Sequence, residues 1–212
     1  MARGRAANYD EQRELILANA AQLFAQRGYS ATSMNEVAEA CGLSKPTLYH
    51  YFRDKYELLV SIAENHVSLL QAVVDEVMQR PLPSGAPPET RLRELILRFV
   101  EEYGGAQHAH RVLTEDVKFL HTADRERILG KEREVVGGFA RAVAELRPEA
   151  KGDGLNKPLT MLLFGMINWM FTWLRPDGEL DHKAMAPIVA DLFFGGLGAV
   201  HSPQREPESK AA

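Results

Sequence analysis

The chain has 212 residues, 45% apolar and 25% charged, enough to bury one or two cores and unlike a disordered segment. A formal net charge of −4 excludes a uniformly basic nucleic-acid coat. A single cysteine, Cys41, excludes an internal disulfide and fits a reducing cytosol. With no leader-like apolar stretch and no run near the ~20 apolar residues a bilayer demands, the expectation is a cytoplasmic protein without a membrane partner.

Met1–Tyr9, carrying Arg3 and Arg5, reads as a loose arm, either solvated or lying along a polyanion. Asp10–Arg27 predicts a helix with Ile16, Ala20, Leu23 and Phe24 inward, closed by Gly28. The next stretch organises the rest. Met34, Val37, Ala38 and Cys41 recur at helical spacing behind Ser33, and Glu36 follows Ser33 by three residues, the pattern of a capping box. Gly42 leaves that helix at positive φ, and Ser44 caps a second one whose first turn tolerates Pro46. Two short helices around a glycine-containing turn make a helix-turn-helix.

On the second helix Leu48, Tyr51 and Phe52 face inward, while Pro46, Thr47, Tyr49, His50 and Arg53 face out, with Lys45 at the entrance. Hydroxyls, an imidazole and cations without a carboxylate suit a polyanion with readable base edges. Thr47, Tyr49 and His50 are the expected base readers; Ser33, Asn35, Ser44 and Lys55 the expected phosphate contacts. An ordinary pair of packed helices would show the same apolar stripe. Charge adds little: residues 1–55 hold seven cations against six carboxylates, or +1, leaving −5 for the remainder.

The run GYSATS followed by VAEACGLSKPTLYHYFRDKYELL resembles the DNA-binding signature of TetR/AcrR-type transcriptional regulators, over about the first quarter of the chain. The resemblance implies a double-stranded DNA operator and a homodimer. It also implies an all-α fold of about nine helices: a three-helix head over residues 1–54 and a ligand-binding and dimerisation domain over 55–200. Residues 201–212 read as a disordered tail.

Lys55–Arg80 predicts one long helix burying Leu58, Leu59, Ile62, His66, Leu69, Leu70, Val73 and Val77, with His66 as a core histidine. At 1.5 Å per residue it spans roughly 37 Å, long enough to link head and body. PLPSGAPP (81–88) breaks the chain. Helices follow over Glu89–Tyr103, Ala106–Leu120 (less regular) and Asp124–Arg147, with a KGDG turn at 151–154. Leu159–Leu174 is apolar nearly all round, and after RPDG (175–178) the last helix, Ala184–Leu197, has no obvious partner within one chain. Both are expected to pack against a second copy, because a single recognition helix selects sequence weakly and paired half-sites lie about 34–36 Å apart.

Phe99, Tyr103, Phe119, Phe139, Phe164, Trp169, Phe171 and Trp173 exceed what a bundle core needs. With Asn168 and Thr172 they predict a cavity for a small hydrophobic effector; core packing is the plainer alternative for each ring. The segment LFGMINWMFTWLRPDG resembles regulators that answer to acyl- or aryl-CoA thioesters, including phenylacetyl-CoA-responsive repressors, which implies a thioester effector and Arg175 near a CoA phosphate. The rival is a multidrug sensor of efflux genes, for which Glu115 and Asp116 are the candidate carboxylates. A catalytic or metal-binding helical protein is the alternative of another class. His108 and His110 point different ways on a helix, Glu115, Asp116 and His121 complete no ligand spacing, and no nucleophile elbow, phosphate loop or HExxH occurs. No cofactor, metal or enzymatic activity is therefore expected.

Overall fold

A computed structural model of the protein describes residues 2–148, 152, 154–175 and 178–201, with the side chains of 2–7 and of Phe171 outside the description. Among the described residues there are nine α-helices, one 3-10 turn and no strand. They are α1 (Ala2–Arg27), α2 (Met34–Ala40), α3 (Lys45–Tyr51), α4 (Lys55–Gln79), α5 (Thr90–Gly105), α6 (Gln107–Glu115), α7 (Thr122–Leu146), α8 (Asn156–Trp173) and α9 (His182–Leu197). The 3-10 turn, Val117–Phe119, takes up the irregular end expected of the Ala106–Leu120 segment. The expected tail beyond His201 and two of the four residues of the KGDG turn lie outside the described residues.

One expectation is overturned at the start of the chain. Residues 2–9 are not a loose arm but the first turns of α1. Ala2, Ala6 and Ala7 are strong helix formers, no proline intervenes, and Tyr9 anchors the segment by stacking on Tyr51 with ring centroids 4.7 Å apart.

The head forms for the reasons its sequence states. The Ser33 hydroxyl accepts from the Glu36 amide, and the Glu36 carboxylate accepts from the Ser33 amide at 2.7 Å. Gly42 turns the chain at φ +64, a left-handed conformation that a β-carbon would strain. Ser44 caps α3 with Pro46 in its first turn, and Asp54 caps α4 by accepting from the Glu57 amide at 2.7 Å.

Two hydrophobic cores share α4. Its first half, Leu58 to Val67, packs with Ile16, Phe24, Val37, Leu48 and Phe52 of the head, and also with Val112 and Leu113 of α6 and Ile128 of α7. Its second half, Leu70 to Val77, packs with α5, α7, α8 and α9 around Phe99 and Phe139. Leu69, expected to be buried, stands outside both cores and is exposed. Where α4 meets α7, Gly138 lets the backbones close: a β-carbon there would lie 2.1 Å from Val74 Cγ1. At the far end of α4, the Arg91 guanidinium donates to the carbonyls of Val77 and Met78 at 2.9 and 2.7 Å, satisfying groups with no intrahelical partner.

Candidate nucleic-acid interface and effector cavity

Leu48 and Phe52 are 0% and 1% exposed, so α3 is anchored from behind. Lys45, Pro46, Thr47, Tyr49 and His50 all stand on its open face, and Ser33, Asn35 and Ser44 are exposed beside it. The Ser44 and Thr47 hydroxyls hydrogen-bond each other at 2.7 Å. Tyr9 touches His50 edge-on with centroids 6.2 Å apart, so the N-terminal end of α1 reaches the outward face of α3. Lys55 is placed otherwise than expected. Its ammonium donates to the carbonyls of Tyr29, Ser30 and Thr32 at 2.8, 3.2 and 2.8 Å and lies 4.5 Å from the Tyr29 ring centre. Three donors are spent inside the head, so in this structure Lys55 braces the α1–α2 turn.

Behind the head, a cavity of about 200 Å³ opens between α4, α5, α6, α7 and α8. Val67, Leu70, Leu113, Val135, Val136, Met161 and Phe164 supply its apolar walls, and Tyr103, His110, Thr114, Glu132 and Asn168 its polar groups. Tyr103 donates to Asn168 Oδ1 at 2.9 Å and stacks on His110 at 3.9 Å. Burial, with the Glu132 charge adding, pushes the Tyr103 phenol well above its ordinary range. His110 Nδ1 lies 3.2 Å from His66 Nε2, one proton between them. Burial lowers His66 to about 4 and, with its partner's help, His110 to about 3, so both rings are neutral. Desolvation raises the Glu132 carboxyl, with Arg133 pulling the other way. No cluster of three or more metal-ligating side chains occurs among the described residues.

The amino-terminal portion, residues 16–62, matches the family model for bacterial regulatory proteins of the tetR family, and residues 85–197 match that for the tetracyclin repressor-like C-terminal domain. The chain belongs to the TetR family. It is 31% identical over 202 residues to the HTH-type transcriptional activator FasR of Mycolicibacterium smegmatis, covering 93% of this chain and 88% of that one. A crystal structure of a TetR-family transcriptional regulator from Bordetella parapertussis superposes with a TM-score of 0.79 at 34% identity, covering 90% of this chain and 97% of that one. AibR, solved in complex with isovaleryl coenzyme A and operator DNA, superposes with a TM-score of 0.70 at 26% identity over 85% of this chain and 97% of its own. This is a DNA-binding transcriptional regulator by family, with no helix among the described residues long and apolar enough to cross a membrane.

Of the expected effector residues in this TetR-family chain, only Tyr103, Phe164 and Asn168 line the cavity. Phe99 stands one layer back, fully buried and edge-on to Phe139. Phe119 belongs to the head side, 5.3 Å from the Tyr29 ring. Trp169 and Trp173 face outward, 67% and 51% exposed, because α8 turns that side away from its own chain. Thr172 is exposed and donates to the Trp169 carbonyl at 2.7 Å, and Arg175 is an exposed residue beyond the end of α8, outside the lining of this cavity. Glu115 pairs with Arg111 on the surface, so neither it nor Asp116 supplies the cavity's carboxylate. Glu132 does, and its position was legible: it falls on the helical stripe of Ile128, Val135 and Val136. His110 carried no such signal, since it meets Tyr103 and His66 only across helix breaks.

Proposed function

We propose that the protein acts as a homodimer on a palindromic operator and represses until a small hydrophobic effector, the acyl or aryl end of a CoA thioester, enters the cavity and releases the DNA. What carries this reading is the exposed α3 face of Thr47, Tyr49 and His50 locked from behind by Leu48 and Phe52, on a body that also holds a mostly apolar cavity. At about 200 Å³ the cavity exceeds the ~150 Å³ that takes a benzene ring and falls below the ~300 Å³ of ordinary ligand pockets. That size suits a short acyl or aryl group whose nucleotide end stays outside. AibR, similar over most of its length, is a protein solved with isovaleryl coenzyme A. Effector binding shifts the population between head spacings, and reaching 99:1 from 1:99 demands about 10⁴-fold preference for one form.

The test has two stages. Selection from a random duplex library should enrich a palindrome with half-sites one helical turn or a multiple of it apart. Band shifts on that duplex should then show release by isovaleryl-, phenylacetyl- or longer-chain CoA. No enriched sequence would sink the DNA reading; retention under every saturating thioester would sink the effector class. A second reading, a sensor of cationic drugs, draws on Glu132, a carboxylate half-buried in the cavity wall. Thermal-shift screening of cationic dyes against thioesters separates the two, since only drug recognition should disappear in Glu132→Gln.

A further inference from the structure

A second apolar hollow, also about 200 Å³, lies on the head side of the effector cavity. Leu17, Ala18 and Ala21 of α1 form one wall, Leu69 of α4 and Ala109 of α6 others. Apart from Asn65, its only polar lining side chain is His66, and His66 is the ring bonded to His110, which lines the first cavity. The two hollows therefore share the His66–His110 pair as a partition. We propose that they are two chambers of one effector site, and that the outer one takes the distal end of a linear acyl chain whose proximal carbons fill the inner one.

This rests on reading the inner cavity as the effector site. By comparison with the ring-filled cavity above, about 200 Å³ holds roughly six to eight carbons, so a longer chain has to continue somewhere. The partition is one neutral hydrogen bond between uncharged rings, so parting it strands no ion. Losing such a bond weakens binding about fivefold, whereas each methylene buried tightens it about fourfold. Two methylenes past the partition offset it. The exit also has a consequence at the other end of the molecule, because Leu17, Ala18 and Ala21 lie on α1, the helix that braces the recognition element.

The experiment measures affinity of straight-chain acyl-CoA thioesters of four to twelve carbons by calorimetry, with 1-alkanols of the same lengths as probes lacking CoA. Wild type is compared with Ala18→Trp and Leu69→Trp, which fill the outer hollow from opposite walls at exposed positions; each variant is used once its melting curve matches wild type. Wild type should keep tightening beyond eight carbons. Both variants should stop there, leaving the twelve-carbon thioester on the order of fiftyfold weaker while the four-carbon one binds as before. A length profile that levels off in wild type, or persists in both variants, overturns the second chamber and leaves the thioester reading intact. Alkanols showing the variant-sensitive profile while thioesters fail would keep the chamber and remove CoA. Binding of neither series would remove both.

Discussion

Two neutral imidazoles in the wall between the hollows make the fold sensitive to acid. An unfolded histidine takes up a proton below about pH 6.5, but folded His66 and His110 resist until about 4 and 3. Their folded values lie below their unfolded ones, so their stabilisation is whole above pH 6.5 and is lost as pH falls toward 4. The slope is at most about 1.4 kcal/mol per pH unit for each ring. Glu132, raised by burial, tilts the other way. Urea unfolding at pH 7.0 and 5.0 should show a clear loss in wild type and a smaller one in His66→Leu; equal losses would mean the ring is not held neutral. Sequence spacing was enough to bury His66 on α4, but its partner lies 44 residues away and no local pattern announces it. The same limit applies to Lys55. A cation just after a recognition helix suggests phosphate, yet the carbonyls of Tyr29, Ser30 and Thr32 converge on it only once the head is folded. Lys55→Met should cost about 2 kcal/mol of stability, read as a lower melting temperature. A loss of operator affinity with an unchanged melting curve would return Lys55 to the phosphate role.

Helices were legible where caps and periodicity agreed, as at α2, α3 and α4, and their ends drifted where neither spoke. The N-terminal end of α1 is the instructive miss. Its composition is helical, but what gives it a task is Tyr9, whose ring stacks on Tyr51 and abuts His50. That contact joins the first helix to the outward face of the third, so Tyr9 is placed to hold His50 in one orientation. Tyr9→Ala should broaden the bases accepted opposite His50 and leave the salt dependence of binding unchanged, because no phosphate contact is removed. Tyr9→Phe keeps both ring contacts and should behave as wild type. Equal weakening on every sequence in Tyr9→Ala would mean the ring merely stiffens the head. A further tie runs from the first turn of α4 to α7, where the Tyr56 hydroxyl donates to Asp124 at 2.7 Å and the ring stacks on His121 at 4.1 Å. Arg127 reinforces it by a two-pronged pair with Glu64 of α4 at 3.1 and 3.0 Å. Together these clamp the first half of α4, the part packed into the head's core, to α7 of the cavity wall.

At the scale of the whole fold, a broad apolar surface among the described residues is left uncovered on the outer side of α8 and α9. Leu162, Trp169 and Leu192 are 65%, 67% and 67% exposed and share one trough with Trp173, Ile188 and Met185. A water-soluble monomer has no reason to keep two tryptophans and several aliphatic side chains open together, whereas two copies facing each other would bury both sets at once. The near-uniform apolarity of α8 is plain in the sequence; which side of it faces the cavity is not, so the sequence alone puts Trp169 and Trp173 among the effector residues although both rings face outward. Met161 ties the two sides together, because it lines both the cavity and the trough. An effector that displaced Met161 would therefore disturb the trough as well as the cavity. Trp169→Glu with Leu192→Glu puts one carboxylate on each helix of this surface. Sedimentation should then give a monomer, and operator affinity should fall by about a hundredfold or more, since each recognition helix is left with one half-site. Solvent-facing positions tolerate charge, so the variant monomer should still fold, with helical circular dichroism near wild type. A dimer that survives both charges would place the subunit contact elsewhere, and the two outward tryptophans would then have no role in spacing the heads.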